Sequence, residues 1–216
     1  PDGGPRSDGG RHGEDAGPVR GVVALHAPRG PRRAARVDGA VSIVPRLDAL
    51  PAYPRRIILH WSGGGPNPSA EDLRAYHYCV SQSGEVFMGV PVERNMRQIP
   101  VTDPRSAYAA HTARLNSYSV GVALCGMRDA KPDGTLGPYP ITRDQTYAAM
   151  AFVAELCDAW SLPVSSSTVF THWEAEHLHG VKQAGKFDIT VIPWLPRMER
   201  TTVGGYLRMI VRGSEA

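Results

Sequence analysis

Two apolar runs lying far apart in the chain, "RRIILH" at 55–60 and "STVFTH" at 167–172, each end on a histidine. Continuous aliphatic and β-branched residues over four to six positions fit a strand buried on both faces. A third run of this kind, "SVGVALCG", occupies 119–126. Between them, "ITRDQTYAAMAFVAELCDAW" at 141–160 places a threonine ahead of apolar residues at helical spacing, which predicts a capped amphipathic helix. "SAEDLRAYH" at 69–77 carries a second helix-start pattern, a serine followed by acidic residues. "YHYCVSQSGEVFMG" at 76–89 reads as two strands around a Ser-Gly turn. Buried strands alternating with amphipathic helices predict a single α/β domain: a mixed central β-sheet flanked by helices.

The two halves of the chain differ in composition. Residues 1–20 are glycine, proline and charge, with almost nothing to bury, and are expected to be disordered. Residues 1–50 together read as a flexible, Arg/Gly/Pro-rich N-terminal extension, with "AVSIV" at 40–44 a possible edge strand, and 51–216 as the folded domain. The 42% apolar and 21% charged content is that of an ordinary globular core. No apolar run approaches the ~20 residues of a membrane helix, so no membrane insertion is expected. The net charge of +3 does not call for a nucleic-acid partner. Cys79, Cys125 and Cys157 are odd in number and sit in apolar segments, which argues against a disulfide framework and for a reducing compartment. No signal-peptide core is visible.

Strand ends are where open α/β sheets collect ligands, so His60 and His172 are candidates for one metal site. Hydrolytic zinc sites use three protein ligands and keep a fourth position for water. Asp188, in "KQAGKFDI", is the natural third donor, and Lys186 falls on its side of an extended segment. A lysine so placed can stabilise an oxyanion. Alone, His60 is more often a core histidine, and Lys186 an ordinary solvated cation. His77 alternates with Tyr76 and is expected to face away from it, in a structural role. The "GGG" after Ser62 permits close backbone approach of a ligand, or forms a mobile surface loop.

Five segments, taken in order, resemble the zinc-dependent N-acetylmuramoyl-L-alanine amidases, the fold shared by phage lysozyme-type amidases and peptidoglycan recognition proteins. They are "IILHWSGG", "AYHYCVSQSGEV", "AHTARLNSYSVGVALCG", "THWEAE" and "GKFD". The resemblance implies one Zn2+ per chain held by His60, His172 and Asp188, with Tyr76 and Lys186 catalytic. It implies substrate contacts from Trp61, His111 and Asn116. The expected activity is hydrolysis of the amide between N-acetylmuramic acid and L-alanine in peptidoglycan, by a monomeric enzyme of endolysin type, made in the cytoplasm and acting on the cell wall. The alternatives are a non-catalytic peptidoglycan-binding protein of the same fold, or an amidase recycling soluble muropeptides.

Two departures from the family pattern matter. Ala123 stands where some relatives carry a catalytic glutamate. The interval between His172 and Lys186 is unusually long, filled by "WEAEHLHGVKQAG" at 173–185. That insertion covers the cleft or supplies a ligand of its own, with Glu174, His177, His179 and Lys182 as candidates.

Overall fold

The computed structural model describes residues 43–213, and the expected disorder at 1–20 lies outside them. Five strands form one sheet: β1 (Arg56–Trp61), β2 (Tyr78–Val80), β3 (Val86–Met88), β4 (Ser119–Leu124) and β5 (Val169–Thr171). Their order is β3-β2-β4-β1-β5. β1 runs parallel to both β4 and β5, β4 runs parallel to β2, and only β3 is antiparallel, joined to β2 by the Ser-Gly turn. The mixed α/β architecture expected from the sequence is the one observed.

Among the described residues four α-helices complete it: α1 (Ala70–Ala75), α2 (Arg143–Ala159), α3 (His172–His177) and α4 (Arg200–Val211). The first three begin with a capping box, on Ser69, Thr142 and Thr171, in which side chain and backbone satisfy each other's orphan groups. α3 and α4 were not anticipated. His172 is therefore the first residue of a helix, not the last of a strand: the Thr171 cap turns the chain immediately after β5.

Period-two alternation divides the sheet into two unlike faces. Ile57, Leu59, Trp61, Val120, Val122, Leu124 and Val169 join the main core, which α2 fills with Met150, Val153 and Leu156, and α4 with Val203 and Leu207. Each fully buried side chain of this kind contributes about 1.5–3 kcal/mol. Their sequence neighbours point to the other face, where Ile58 and Phe170 meet Ala175 of α3, and Ala123 meets Cys79 and Cys125. All three cysteines are free and buried.

The segment before the first strand takes part in this packing. Ile43, Val44, Leu47 and Leu50 lie against the core. Tyr78 Oη donates to the Ile43 carbonyl and Trp160 Nε1 to that of Pro45, each at 3.0 Å. Ile43 and Val44 occupy a bend, so the edge strand suggested for 40–44 does not extend to them; residues 40–42 lie outside the described residues. Among the described residues, no helix is long and apolar enough to cross a membrane.

Candidate metal centre

His60 leaves β1 on the small-residue face, opposite Ala123 of β4, and is wholly buried. His172 opens α3, and the backbone N–H of Trp173 in the same turn donates to the Asp188 carbonyl at 2.6 Å. One backbone bond therefore registers the helix start against the segment carrying the carboxylate. Nδ1 of His60 lies 2.9 Å from Asp188 Oδ2, and Nδ1 of His172 lies 3.1 Å from the same oxygen. The three ligand atoms fall within 4.8 Å of one another, and among the described residues no other group of three such side chains converges.

The outer nitrogens of both rings are also engaged. His172 Nε2 meets Gln183 Oε1 at 3.0 Å. His60 Nε2 faces His111 Nδ1 at 3.2 Å and Thr112 Oγ1 at 3.3 Å. Burial lowers His60 to about 4 in spite of its hydrogen bond to Asp188, so the imidazole is neutral at neutral pH. Burial pushes the Asp188 carboxyl up, but the hydrogen bonds to His172 and His60 outweigh it and hold the group well below the usual carboxylate range. Two imidazoles and an ionised carboxylate sharing one buried point form a donor set suited to a divalent cation. The outer-nitrogen contacts are those that orient metal-binding histidines.

Tyr76 is the C-cap of α1, its ring 5.1 Å from that of His60. Burial, reinforced by the charge on Asp188, raises its phenol well above the ordinary value, so it keeps its proton. Lys186 is exposed, and near enough for its charge to depress His60.

The other expected residues are placed as follows. Trp61 points to the main core, 6% exposed, its ring edge-on to Phe187 at 5.5 Å. His111 packs flat on Gly121, where a Cβ would come within 2.6 Å of its ring, and it also contacts Thr112. Asn116 Oδ1 accepts from the Thr112 backbone at 2.8 Å and closes the 112–116 loop. His77 does not face away from the site. Its Nδ1 accepts from the Gly121 N–H at 2.9 Å and its ring lies 5.5 Å from that of His111, because Tyr76 ends a helix and the strand alternation starts only at Tyr78.

The glycine loop is tied down. Gly64 N–H donates to Ser62 Oγ, and the Gly64 carbonyl accepts from Arg128 N–H, while Gly63 takes a φ of 69° that only glycine adopts freely.

Within the 173–185 insertion, none of the residues singled out in the sequence joins the donor trio. His177 stacks on Trp173 at 3.8 Å, and His179 lies against Phe170 with Nε2 near the Ser166 carbonyl. Lys182 is exposed. Glu174 forms a two-point ion pair with Arg208 of α4, both contacts at 2.9 Å. The residue that does reach the site is Gln183, which carries no metal-ligand signature and escaped sequence reasoning.

The sequence profile of the N-acetylmuramoyl-L-alanine amidase family matches residues 50–186, well over half of the chain. The chain belongs to this family. The matched span contains both histidines of the donor trio and ends two residues before Asp188. Among solved structures, the chain is similar to the Ph2119 endolysin of a Thermus scotoductus bacteriophage, at 17% identity over 80% of this chain and 92% of that one, with a TM-score of 0.42. It is similar to PlyL at 16% identity over 79% and 91% (TM-score 0.47). It is also similar to the Drosophila peptidoglycan recognition protein SD at 15% over 60% and 75% (TM-score 0.39). No curated protein matches the chain significantly.

Proposed function

We propose that this amidase-family chain is a zinc-dependent N-acetylmuramoyl-L-alanine amidase that cleaves the amide joining the sugar and the stem peptide of peptidoglycan, as a cell-wall lytic enzyme of endolysin type. The observation that carries the reading is the complete donor trio, His60, His172 and Asp188, buried at one point with the two Nδ1 atoms on one carboxylate oxygen. A binding protein of this fold needs a groove but no buried donor set of two imidazoles and a carboxylate, so the intact trio favours an enzyme.

One zinc ion held by these side chains would polarise the scissile carbonyl and acidify a water molecule. The chain's own residues do the rest. His60, kept neutral by burial, presents a lone pair. The Tyr76 hydroxyl, kept protonated, donates a hydrogen bond to the oxygen that gains negative charge as water adds to the carbonyl carbon. Lys186, at the exposed end of the site, stabilises the same oxygen or delivers a proton to the amine as the C–N bond breaks. His111 and Asn116 support the floor of the cleft by fixing His60 and the 112–116 loop, and Trp61 anchors the base of the glycine loop from the core side.

The test pairs metal content with hydrolysis. After mild dialysis, the wild-type chain should retain about one zinc and release soluble fragments from purified sacculi; Asp188→Ala should do neither. Zinc retained by Asp188→Ala would move the third ligand elsewhere. Zinc bound without cleavage of sacculi or soluble muropeptides would leave only the binding reading, and cleavage confined to soluble muropeptides would identify a recycling enzyme.

A further inference from the structure

Gln183 is 3% exposed, and all of its side-chain hydrogen-bonding atoms are engaged. Its amide nitrogen lies 3.0 Å from the carbonyl of Ala113 and 3.0 Å from that of Val181, while its amide oxygen faces His172 Nε2 at 3.0 Å. Two backbone carbonyls can only accept, so the NH2 end must be the end that meets them, and the oxygen is left for the imidazole. A carbonyl oxygen cannot donate either. His172 Nε2 therefore carries a hydrogen, which leaves Nδ1 as the ring nitrogen turned to Asp188.

The loop is built to hold this residue. Gly180 and Val181 N–H groups return to the carbonyls of Glu176 and Ala175, and Gln183 N–H donates to Glu176 Oε2 at 2.9 Å. Immediately afterwards a tight turn, closed by Lys186 N–H on the Gln183 carbonyl, has both central residues at positive φ, Ala184 at 51° and Gly185 at 75°. The long interval between His172 and Lys186 thus supplies no member of the donor trio. It brings an amide to the back of His172.

We propose that Gln183 is a positioning residue that keeps a hydrogen on His172 Nε2 and aims Nδ1 at the point shared with His60 and Asp188. The proposal rests on the metal-site reading given above only for its consequence, tighter metal binding. The tautomer itself is a property of the metal-free chain.

The experiment is 15N NMR of the histidine rings in the chelator-treated full chain at neutral pH, with zinc and cobalt(II) affinities measured by competition titration. Wild type should show His172 protonated on Nε2. Gln183→Leu should shift it to Nδ1–H, donating to Asp188, and weaken metal binding by about 10- to 100-fold, the usual range for loss of such a contact. Gln183→Glu retains an acceptor oxygen and should retain the tautomer even where loss of the two carbonyl contacts loosens the loop. An Nδ1–H ring in wild type overturns the inference, as does a Leu variant with unchanged tautomer and metal affinity within twofold. Equal loss of the tautomer in the Glu and Leu variants also overturns it, since the acceptor atom would not then be responsible. If no metal binds but the wild-type ring is Nε2–H and the Leu variant's is not, Gln183's role stands and the metal reading falls.

Discussion

The two faces of the central sheet are made by the same strands and do opposite things. On one face, Ile57, Leu59, Val120, Val122 and Leu124 interlock with α2 and α4, and nothing polar is needed. On the other, the alternate positions of the same strands include His60, Gly121 and Ala123, small or polar residues that leave room for His111, His77 and Tyr76 beside the Ile58–Phe170 cluster. The first face supplies stability. The second uses it, holding several imidazoles and a carboxylate out of water at a cost that the apolar face must offset. A strand with period two can serve both needs because a single residue step exchanges one environment for the other.

That division can be broken from either side. The largest effect should come from metal removal. Chelation is expected to reduce sacculus hydrolysis to background, and zinc to restore it, while the far-ultraviolet circular dichroism of the helices barely changes. Collapse of the helical signal on chelation would show that the two faces are not separable. Next come paired substitutions. Glu174→Ala leaves the Arg208 guanidinium buried without its partner and should cost about 3–5 kcal/mol. Leu156→Ala, in the main core, should cost about 2–5 kcal/mol. In urea titrations the two lie close together, but only Glu174→Ala should also weaken zinc binding, because Glu174 closes the capping box on Thr171 beside His172. Equal zinc affinity in both variants would break the comparison.

Acid should act on the polar face first. Burial lowers His60 to about 4 and His77 to about 3 in the metal-free chain, against about 6.5 for an unfolded histidine. Between those values the unfolded chain binds protons that the native state refuses. The contribution is fully present above about pH 6.5 and is lost as pH falls through about 4 for His60 and about 3 for His77, amounting to a few kcal/mol on the order-of-magnitude scale of such linkage. Urea midpoints of the chelated protein should fall steadily from pH 7 to 5, and a flat profile would contradict the burial of these rings. The smallest effect concerns the turn after Gln183. Ala184 sits at a φ of 51°, so Ala184→Gly should stabilise the chain by about 1 kcal/mol or less, with metal affinity unchanged.

Much of this arrangement was legible in the sequence. Continuous apolar runs marked β1, β4 and β5, the threonine cap marked α2, and the histidines at the ends of two of those runs pointed to a shared site. What escaped had physical reasons. α4 begins at Arg200 and contains Gly204 and Gly205, which weaken helical propensity. Gly204 is there because the Glu174 carboxylate occupies the space its Cβ would fill, 2.2 Å away, so a tertiary contact outvotes the local preference. α3 has only six residues, too few for a period to show, although its capping box was present in "THWE". Gln183 was invisible for another reason: the role of an amide depends on which three groups surround it, and those come from 113, 172 and 181.

The Glu174–Arg208 pair joins α3, on the polar side of β5, to α4 on the apolar side, and Arg208 also donates to the Val169 carbonyl of the strand between them. The recognisable motif and the working unit therefore have different boundaries. A segment ending where the family profile match ends, at residue 186, would carry both histidines but neither Asp188 nor the cation that neutralises Glu174. A fragment that is to keep the donor trio in its setting has to extend as far as α4, so its smallest boundary is set by a buried charge rather than by the trio that charge supports.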